Sequence, residues 1–324
     1  MKTLDEVVAV IADARDIGLV SHINPDGDSI GSLLGLAITL NDAGKRVFAS
    51  LPLPEHYPPQ YRFLPGRDLL NTPQEIPGGL EVFMALDCSN LDRLGELCET
   101  AEAAETLINI DHHEDNQLFG SINLVDDGAS STAELIHRLL KRAGWSITPD
   151  VATCLYTGLV TDTGRFQHRN TAPRTFMTAS ELAGEGADIH RVVMEIYHNQ
   201  SLSYTRLIGV ALQRTEVVED CGLVYSYITM EDLKRTGAIL PETEDLIDFL
   251  RGIKGTSVVA LFKEMKEGKT RVSLRSRDGN EVGPIARSMG GGGHAMAAGY
   301  TSERDIKESI RDLVDILQGE WSGD

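Results

Sequence analysis

Apolar residues in the first half of the chain follow two alternating patterns. Short apolar runs, typical of buried strands, alternate with segments whose apolar positions recur every three or four residues, typical of helices. The predicted strands cover residues 17–22, 46–50, 80–87 and 106–111, and the main predicted helices cover residues 28–44 and 131–144. Strands separated by helices predict an α/β fold with a parallel sheet, in which ligands bind beyond the carboxyl ends of the strands.

The pattern becomes richer in strands in the second half of the chain. Helical patterns predominate from about Thr148 to Leu212, and strands are then predicted at residues 222–230, 256–265 and 269–277, before a final helix. We therefore expect a first domain, a helical linker and a smaller α/β domain. Their predicted extents are residues 1–190, 191–215 and 216–324.

Acidic residues and histidines stand where three of the predicted strands end. His22 ends the first strand, and Asp26 and Asp28 follow it in a loop. Asp87 ends the third strand, and the cluster Asp111–His113 ends the fourth. Because the carboxyl ends of parallel strands share one edge of the sheet, we expect these side chains to lie close together.

These residue types are ligands of divalent metal ions. Histidine with carboxylates suits Mn²⁺, Zn²⁺ or Fe²⁺, and the excess of carboxylates favours Mn²⁺. The candidate ligands, including Asp162 after an apolar helical run, are His22, Asp26, Asp28, Asp87, His112 and Asp162. Six ligands are too many for one catalytic ion with an open position, but they suit two ions that share a carboxylate. Two such ions could hold a hydroxide between them for in-line displacement at phosphorus. His113 would bind or protonate the phosphoryl group, unless its hydrogen bond is only structural.

A second candidate site lies near the C-terminus, where Gly290, Gly291, Gly292 and Gly293 precede His294. Consecutive glycines allow backbone N–H groups to converge on an anion. Arg275 and Arg277, two residues apart on a predicted strand, would share one face, and a guanidinium can grip a phosphate with two hydrogen bonds. We therefore predict a substrate pocket here; the alternative is a flexible glycine loop.

Composition narrows the choice of partners. The 324 residues are 41% hydrophobic and carry a formal charge of -19, which argues against non-specific binding of duplex DNA. A small anionic substrate is still compatible with this charge, because bound metal ions dominate the local field. The four cysteines form no CxxC pair, and no apolar run approaches the ~18 residues of a membrane span, so we expect a cytoplasmic protein.

Five motifs in order resemble the DHH–DHHA1 phosphoesterase family over nearly the whole chain. They are HINPDGDSIGS, LDCSNLDRLG, DHH, LVTDTGRF and GGGGHAMAAG. The chain is most similar to the NrnA-type members, which degrade very short oligoribonucleotides to mononucleotides. Many of these also remove phosphate from pAp (3′-phosphoadenosine 5′-phosphate).

The resemblance implies a role for each matching residue. One Mn²⁺ would be held by His22, Asp26 and Asp87, and the other by Asp28, Asp87, His112 and Asp162. Asp111 would orient the cluster, and His113 would meet the scissile phosphate. The terminal nucleotide and phosphate would be bound by Arg275, Arg277, the glycine run and His294. Mg²⁺, Co²⁺ or Fe²⁺ could replace Mn²⁺.

The resemblance also implies the architecture. A parallel-sheet domain with helices on both faces would carry the metals, a smaller mixed-sheet domain would carry the substrate pocket, and the active site would lie in the cleft between them. It implies a homodimer acting on short single-stranded RNA and nucleotides. A phosphodiesterase for cyclic di-AMP or its linear product pApA is the alternative. A nucleotide-binding regulator without turnover is a third hypothesis.

Overall fold

The computed structural model describes residues 2–53, 57–243, 246–277, 280–293 and 295–321. The chain divides into two compact units, Met1–Asn199 and Gln200–Asp324. The predicted linker is split by this division, because residues 191–199 belong to the first unit and residues 200–215 to the second. Among the described residues, no helix is long and apolar enough to cross a membrane.

The first unit contains a six-stranded parallel sheet in the order β3-β2-β1-β4-β5-β6. Its strands are β1 (Asp16–Val20), β2 (Arg46–Ser50), β3 (Leu70–Asn71), β4 (Val82–Leu86), β5 (Thr106–Asp111) and β6 (Ile122–Val125). Its α-helices are α1 (Lys2–Asp13), α2 (Gly27–Asp42), α3 (Cys98–Glu102), α4 (Thr132–Ala143), α5 (Pro149–Asp162), α6 (Pro173–Gly184) and α7 (Ile189–Val193). The predicted parallel sheet is confirmed, and so are four of its strands.

Both faces of this sheet are buried, as expected of a parallel sheet covered by helices. Alternate residues of β4 contribute to different apolar clusters. Met84 and Leu86 belong to the cluster that includes α2, α4 and α5, whereas Phe83 and Ala85 belong to one that includes α3. The continuous apolar run of β4 therefore reflects burial on two sides.

The second unit contains a mixed six-stranded sheet in the order β11-β12-β10-β9-β8-β7. Only the β8–β9 pair is parallel among its described pairings. The strands are β7 (Glu216–Val218), β8 (Leu223–Ile228), β9 (Val258–Glu264), β10 (Thr270–Ser276), β11 (Gly292–Gly293) and β12 (Ala297–Ser302). The helices are α8 (Leu202–Gln213), α9 (Met230–Thr236), α10 (Leu246–Leu250), α11 (Gly283–Ser288) and α12 (Ile306–Trp321). The expected mixed sheet is confirmed.

A buried carboxylate joins α8 to α9 in this unit. Asp232 accepts hydrogen bonds from both terminal nitrogens of Arg214, and from the Thr229 backbone N–H at 2.9 Å and hydroxyl at 2.6 Å. Burial alone would raise the pKa of Asp232, but these hydrogen bonds outweigh it and lower the pKa from 3.8 to about 2. The ionised form is therefore favoured by folding.

We expect Asp232→Asn to lower the free energy of unfolding at pH 7 by about 2–3 kcal/mol, because charge-assisted hydrogen bonds are lost in a buried position. Since folding lowers the pKa, this stabilisation is complete above about pH 4 and declines as the pH falls toward 2. Urea unfolding of both proteins from pH 6 to pH 3 measures it. Asp248→Asn, which removes an exposed pair with Arg251, should have little effect. Equal losses in the two variants would contradict the prediction.

Candidate metal centre

Adjacent strands bring the predicted acids and histidines to one edge of the first sheet. The strands β1, β4 and β5 are neighbours, and His22, Asp87 and Asp111–His113 lie at or just beyond their carboxyl ends. Asp28 lies in the first turn of α2, and Asp162 is the last residue of α5. All of them except Asp26 are mostly buried, and the Asp26 side chain is 58% exposed.

One group of potential ligand atoms surrounds His22. Its Nε2 lies 3.4 Å from Asp87 Oδ2 and 3.9 Å from Asp26 Oδ1. Its Nδ1 contacts the carbonyl oxygen of Ile23 at 2.8 Å. Because a carbonyl can only accept, Nδ1 carries the hydrogen, and in the neutral ring Nε2 presents a lone pair to the two carboxylates. This tautomer suits a metal ligand.

A second group surrounds His112. Its Nε2 lies 3.6 Å from Asp87 Oδ1 and 3.8 Å from both Asp28 Oδ2 and Asp162 Oδ2. These distances are slightly longer than the roughly 3.0–3.4 Å that separates two ligands about 2.1 Å from one ion. Among the described residues, the group at this position whose potential ligand atoms all lie within 4.8 Å of one another is Asp87, His112 and His113. Asp87 therefore directs Oδ2 toward His22 and Oδ1 toward His112.

The charges of the centre favour a bound cation. Burial, together with the charges of Asp87 and Asp162, holds the pKa of Asp28 well above its ordinary value. Burial likewise raises the pKa of Asp162 to about 7. Burial alone would raise the pKa of Asp87 too, but the nearby histidines, beginning with His22, lower it. Divalent cations would stabilise the ionised carboxylates, so the donor set fits such ions.

His113 is held by a carboxylate behind it. Its Nδ1 lies 2.7 Å from Asp111 Oδ1, and the other oxygen of Asp111 accepts a hydrogen bond of 2.6 Å from Asn116. Burial alone would lower the pKa of His113, but Asp111 and the charge of Asp87 outweigh it and raise the pKa to about 9. Asp111 therefore fixes the ring of His113, and its expected role in orienting the whole cluster stays a prediction.

The backbone at Asp87 is strained. Its φ is +61°, in the left-handed region that most side chains avoid and that Asp and Asn tolerate best. Asp87 follows β4 directly, and its N–H donates to the carbonyl of Ile110 on β5 at 2.9 Å. The strand end is thereby tied to its neighbour, so the carboxylate turns into the centre. Strain of this kind clusters at functional sites.

Residues outside the predicted set also contact the candidate site residues, among them Thr132, Asn116 and Asn170. Thr132 donates its hydroxyl hydrogen to Asp87 at 3.0 Å and its backbone N–H to Asp28 at 2.6 Å. Asn170 donates to Asp162 at 3.0 Å, and Asn116 contacts Asp111 as described above. Ser131 is the N-cap of α4, and Thr132 is the first residue of the helix.

The glycine run of the second unit forms backbone hydrogen bonds within that unit. The N–H groups of Gly290 and Gly291 donate to carbonyls of α11, at 3.0 and 2.8 Å. Gly292 and Gly293 form β11, which pairs with β12. A nest of four converging N–H groups is therefore not formed, because the first two glycines end a helix. The place of these glycines in a substrate pocket stays a prediction.

The two predicted arginines differ in position. Arg275 lies on β10, is partly buried and donates to the carbonyl of Leu274 at 3.1 Å. Arg277 lies one residue beyond β10, its N–H donates to the carbonyl of Ser257 at 3.0 Å, and its guanidinium contacts the carbonyl of Ile253. A shared face with Arg275 stays a prediction. His294 lies outside the described residues.

Family models match both units. The model described as the DHH family, N-terminal domain, matches residues 16–159, and the DHHA1 domain model matches residues 222–321. The bifunctional oligoribonuclease and PAP phosphatase NrnA of Thermus thermophilus is 34% identical over 99% of this chain and 94% of its own length. The protein of the same name in Bacillus subtilis is 30% identical, over 98% of this chain and 97% of its own.

A solved structure resembles the whole chain. The exopolyphosphatase-related protein from Bacteroides fragilis has a TM-score of 0.91 and 27% sequence identity. The match covers 98% of this chain and 96% of that protein. Similarity in sequence and in structure therefore extends across both units.

Proposed function

Since the chain belongs to the DHH family of phosphoesterases and carries its DHHA1 domain, we propose that it is a Mn²⁺-dependent hydrolase of short oligoribonucleotides and pAp. The products would be mononucleotides from RNA and AMP from pAp. Relatives named oligoribonuclease and PAP phosphatase, similar over nearly the full chain, support this substrate class. The phosphoesterase reaction itself follows from membership of the family.

One observation supports the proposed mechanism above all others. One carboxylate oxygen of Asp87 faces the group around His22, and the other faces the group around His112. His22 and Asp26 would hold one ion with Asp87. The other ion would be held by Asp28, His112 and Asp162, again together with Asp87. When bound, the two ions supply Lewis acidity at the phosphoryl group and activate water for the attack.

The remaining residues of the centre orient the reacting group. Asp111 holds Nδ1 of His113, so the imidazole ring is fixed at the edge of the metal centre. From there the Nε2–H of His113 would either donate a hydrogen bond to a phosphoryl oxygen or give its proton to the leaving group. In the second unit, we propose that Arg275, Arg277, the glycine run and His294 bind the terminal nucleotide. A homodimer and a cytoplasmic location, both expected above, remain proposals too.

A time course with a 5′-labelled RNA pentamer and Mn²⁺ tests the proposal. We expect a ladder that shortens to mononucleotides, and conversion of pAp to AMP in a parallel reaction. A metal chelator should stop both reactions, and Mn²⁺ should restore them. Mg²⁺, Co²⁺ and Fe²⁺ are compared at equal concentration.

Other outcomes would overturn the substrate assignment. If the protein cleaves cyclic di-AMP or pApA but leaves the pentamer and pAp intact, its substrate is a dinucleotide. Tight nucleotide binding without hydrolysis under saturating Mn²⁺ would indicate a regulator. Neither outcome alters the ligand set, whose own test is the substitution of Asp87.

A further inference from the structure

The first turn of α4 contacts two of the candidate ligands. The backbone N–H groups of Thr132 and Ala133 donate to the two oxygens of Asp28, at 2.6 and 2.9 Å. The hydroxyl of Thr132 donates to Asp87 at 3.0 Å. Thr132, Asp28 and Asp87 are at most 2% exposed, so water does not compete with these hydrogen bonds.

The hydroxyl of Thr132 distinguishes between the two oxygens of Asp87. It contacts Oδ1, the oxygen that faces His112, whereas Oδ2 faces His22. A carboxylate turns easily about its terminal torsion, which has broad minima. A hydrogen bond to one oxygen therefore fixes which group of ligands each oxygen serves.

The position of Thr132 in the helix leaves its hydroxyl available for this contact. Within a helix, threonine commonly donates to a carbonyl three or four residues earlier. Thr132 is the first residue of α4, and the carbonyls of a preceding helical turn do not exist there. Its backbone N–H is one of the helix donors without an intrahelical partner, and it is satisfied by Asp28.

We propose that Thr132 is a positioning residue, which holds the Asp87 carboxylate in the rotation that serves both metal positions. This inference rests on the proposed two-ion centre. Thr132 would bind neither ion itself. Its effect would pass through Asp87, because residues behind metal ligands orient them and commonly change metal affinity 10–100-fold.

Three variants of the full chain test the proposal. Thr132→Val removes the hydroxyl but keeps the shape of the side chain and the N–H bond to Asp28. Thr132→Ser keeps the hydroxyl. Ser131→Ala removes the N-cap bond to the Glu134 N–H at 3.1 Å, in the same turn, without touching Asp28 or Asp87. It separates weakening of the helix from loss of positioning.

The measurement is titration of metal-free protein with Mn²⁺ by calorimetry, with the melting temperature recorded in chelator. We expect Thr132→Val to weaken binding of at least one ion about tenfold or more, and Thr132→Ser to restore it. Ser131→Ala should lower the melting temperature by about 2–4 °C with unchanged metal affinity.

The possible results separate this inference from the proposed function. If the wild type binds two ions and Thr132→Val binds them equally well, the positioning role is wrong. If Thr132→Ser or Ser131→Ala weakens binding as much as Thr132→Val, the effect belongs to the helix and the role is also wrong. Wild-type protein that binds no Mn²⁺ would overturn the proposed two-ion centre, and with it this inference.

Discussion

Asp87→Asn is expected to reduce kcat/KM by more than about 100-fold on both RNA and pAp, since even residues behind metal ligands contribute 10–100-fold. Asparagine has the same size and tolerates the left-handed backbone of this position, where φ is +61°. Its amide offers one oxygen and a donating NH₂ group in place of two oxygens. It therefore cannot serve the His22 group and the His112 group together.

Two measurements on this variant separate chemistry from folding. Calorimetry should find fewer than two Mn²⁺ ions per chain, and circular dichroism should match the wild type. Asp115→Asn is the matched control, because it removes one negative charge from an exposed position in the loop after His113. Wild-type turnover in Asp87→Asn, or equal losses in the two variants, would eliminate the bridging carboxylate from the mechanism.

The second large effect is expected from Gly31→Ala, at the crossing of α2 and α5. A Cβ at Gly31 would lie 2.4 Å from the carbonyl oxygen of Cys154 and 2.9 Å from the backbone nitrogen of Gly158. Backbone atoms cannot rotate aside as a side chain can, so the two helices would have to separate. We expect the free energy of unfolding to fall by about 3 kcal/mol.

The same change should weaken Mn²⁺ binding, because α2 carries Asp28 and α5 carries Asp162. Gly209→Ala in α8 is the control, since a Cβ there would meet nothing within 4 Å. Alanine in an exposed helix stabilises by about 0.5–1 kcal/mol relative to glycine, so the two substitutions should have opposite signs. Urea unfolding measures both. An unchanged free energy of unfolding in Gly31→Ala would mean that the two helices can separate without loss of stability, which would contradict the prediction.

The strands that the sequence predicts are those with enough apolar residues to show a pattern. β4 is a continuous apolar run buried on both faces, and β5 is buried after its first residue and carries Leu107, Ile108 and Ile110. β3 has two residues and β6 has four, of which one is buried, so neither shows a recognisable period. Both are edge strands, and an edge strand has a neighbour on one side only.

The candidate ligands were predictable for a topological reason. A parallel sheet collects the carboxyl ends of its strands at one edge, so residues as distant in sequence as His22 and His112 were expected to meet there. Contacts that depend on how helices pack were not predictable. The capping of α4 by Asp28 and the contact of Asn170 with Asp162 require the positions of α2, α4 and α5.

Local backbone geometry is a second feature that the sequence alone does not predict. The sequence predicts that the backbone N–H groups of the glycine run converge on an anion, whereas in the structure the first two glycines form the end of α11. A glycine beyond a helix often satisfies its last carbonyls in this way. The boundary of a six-residue helix is too uncertain in the sequence alone to separate the two interpretations.

The bond between Asp28 and Thr132 joins residues 104 positions apart, and this distance has a consequence during synthesis. At about 5–20 residues per second, Asp28 emerges from the ribosome roughly 5–20 s before Thr132. Throughout that interval the carboxylate has no helix to cap, and burying it without a partner is unfavourable. We therefore expect the first turn of α2 to be buried only when α4 has been translated and can cap Asp28.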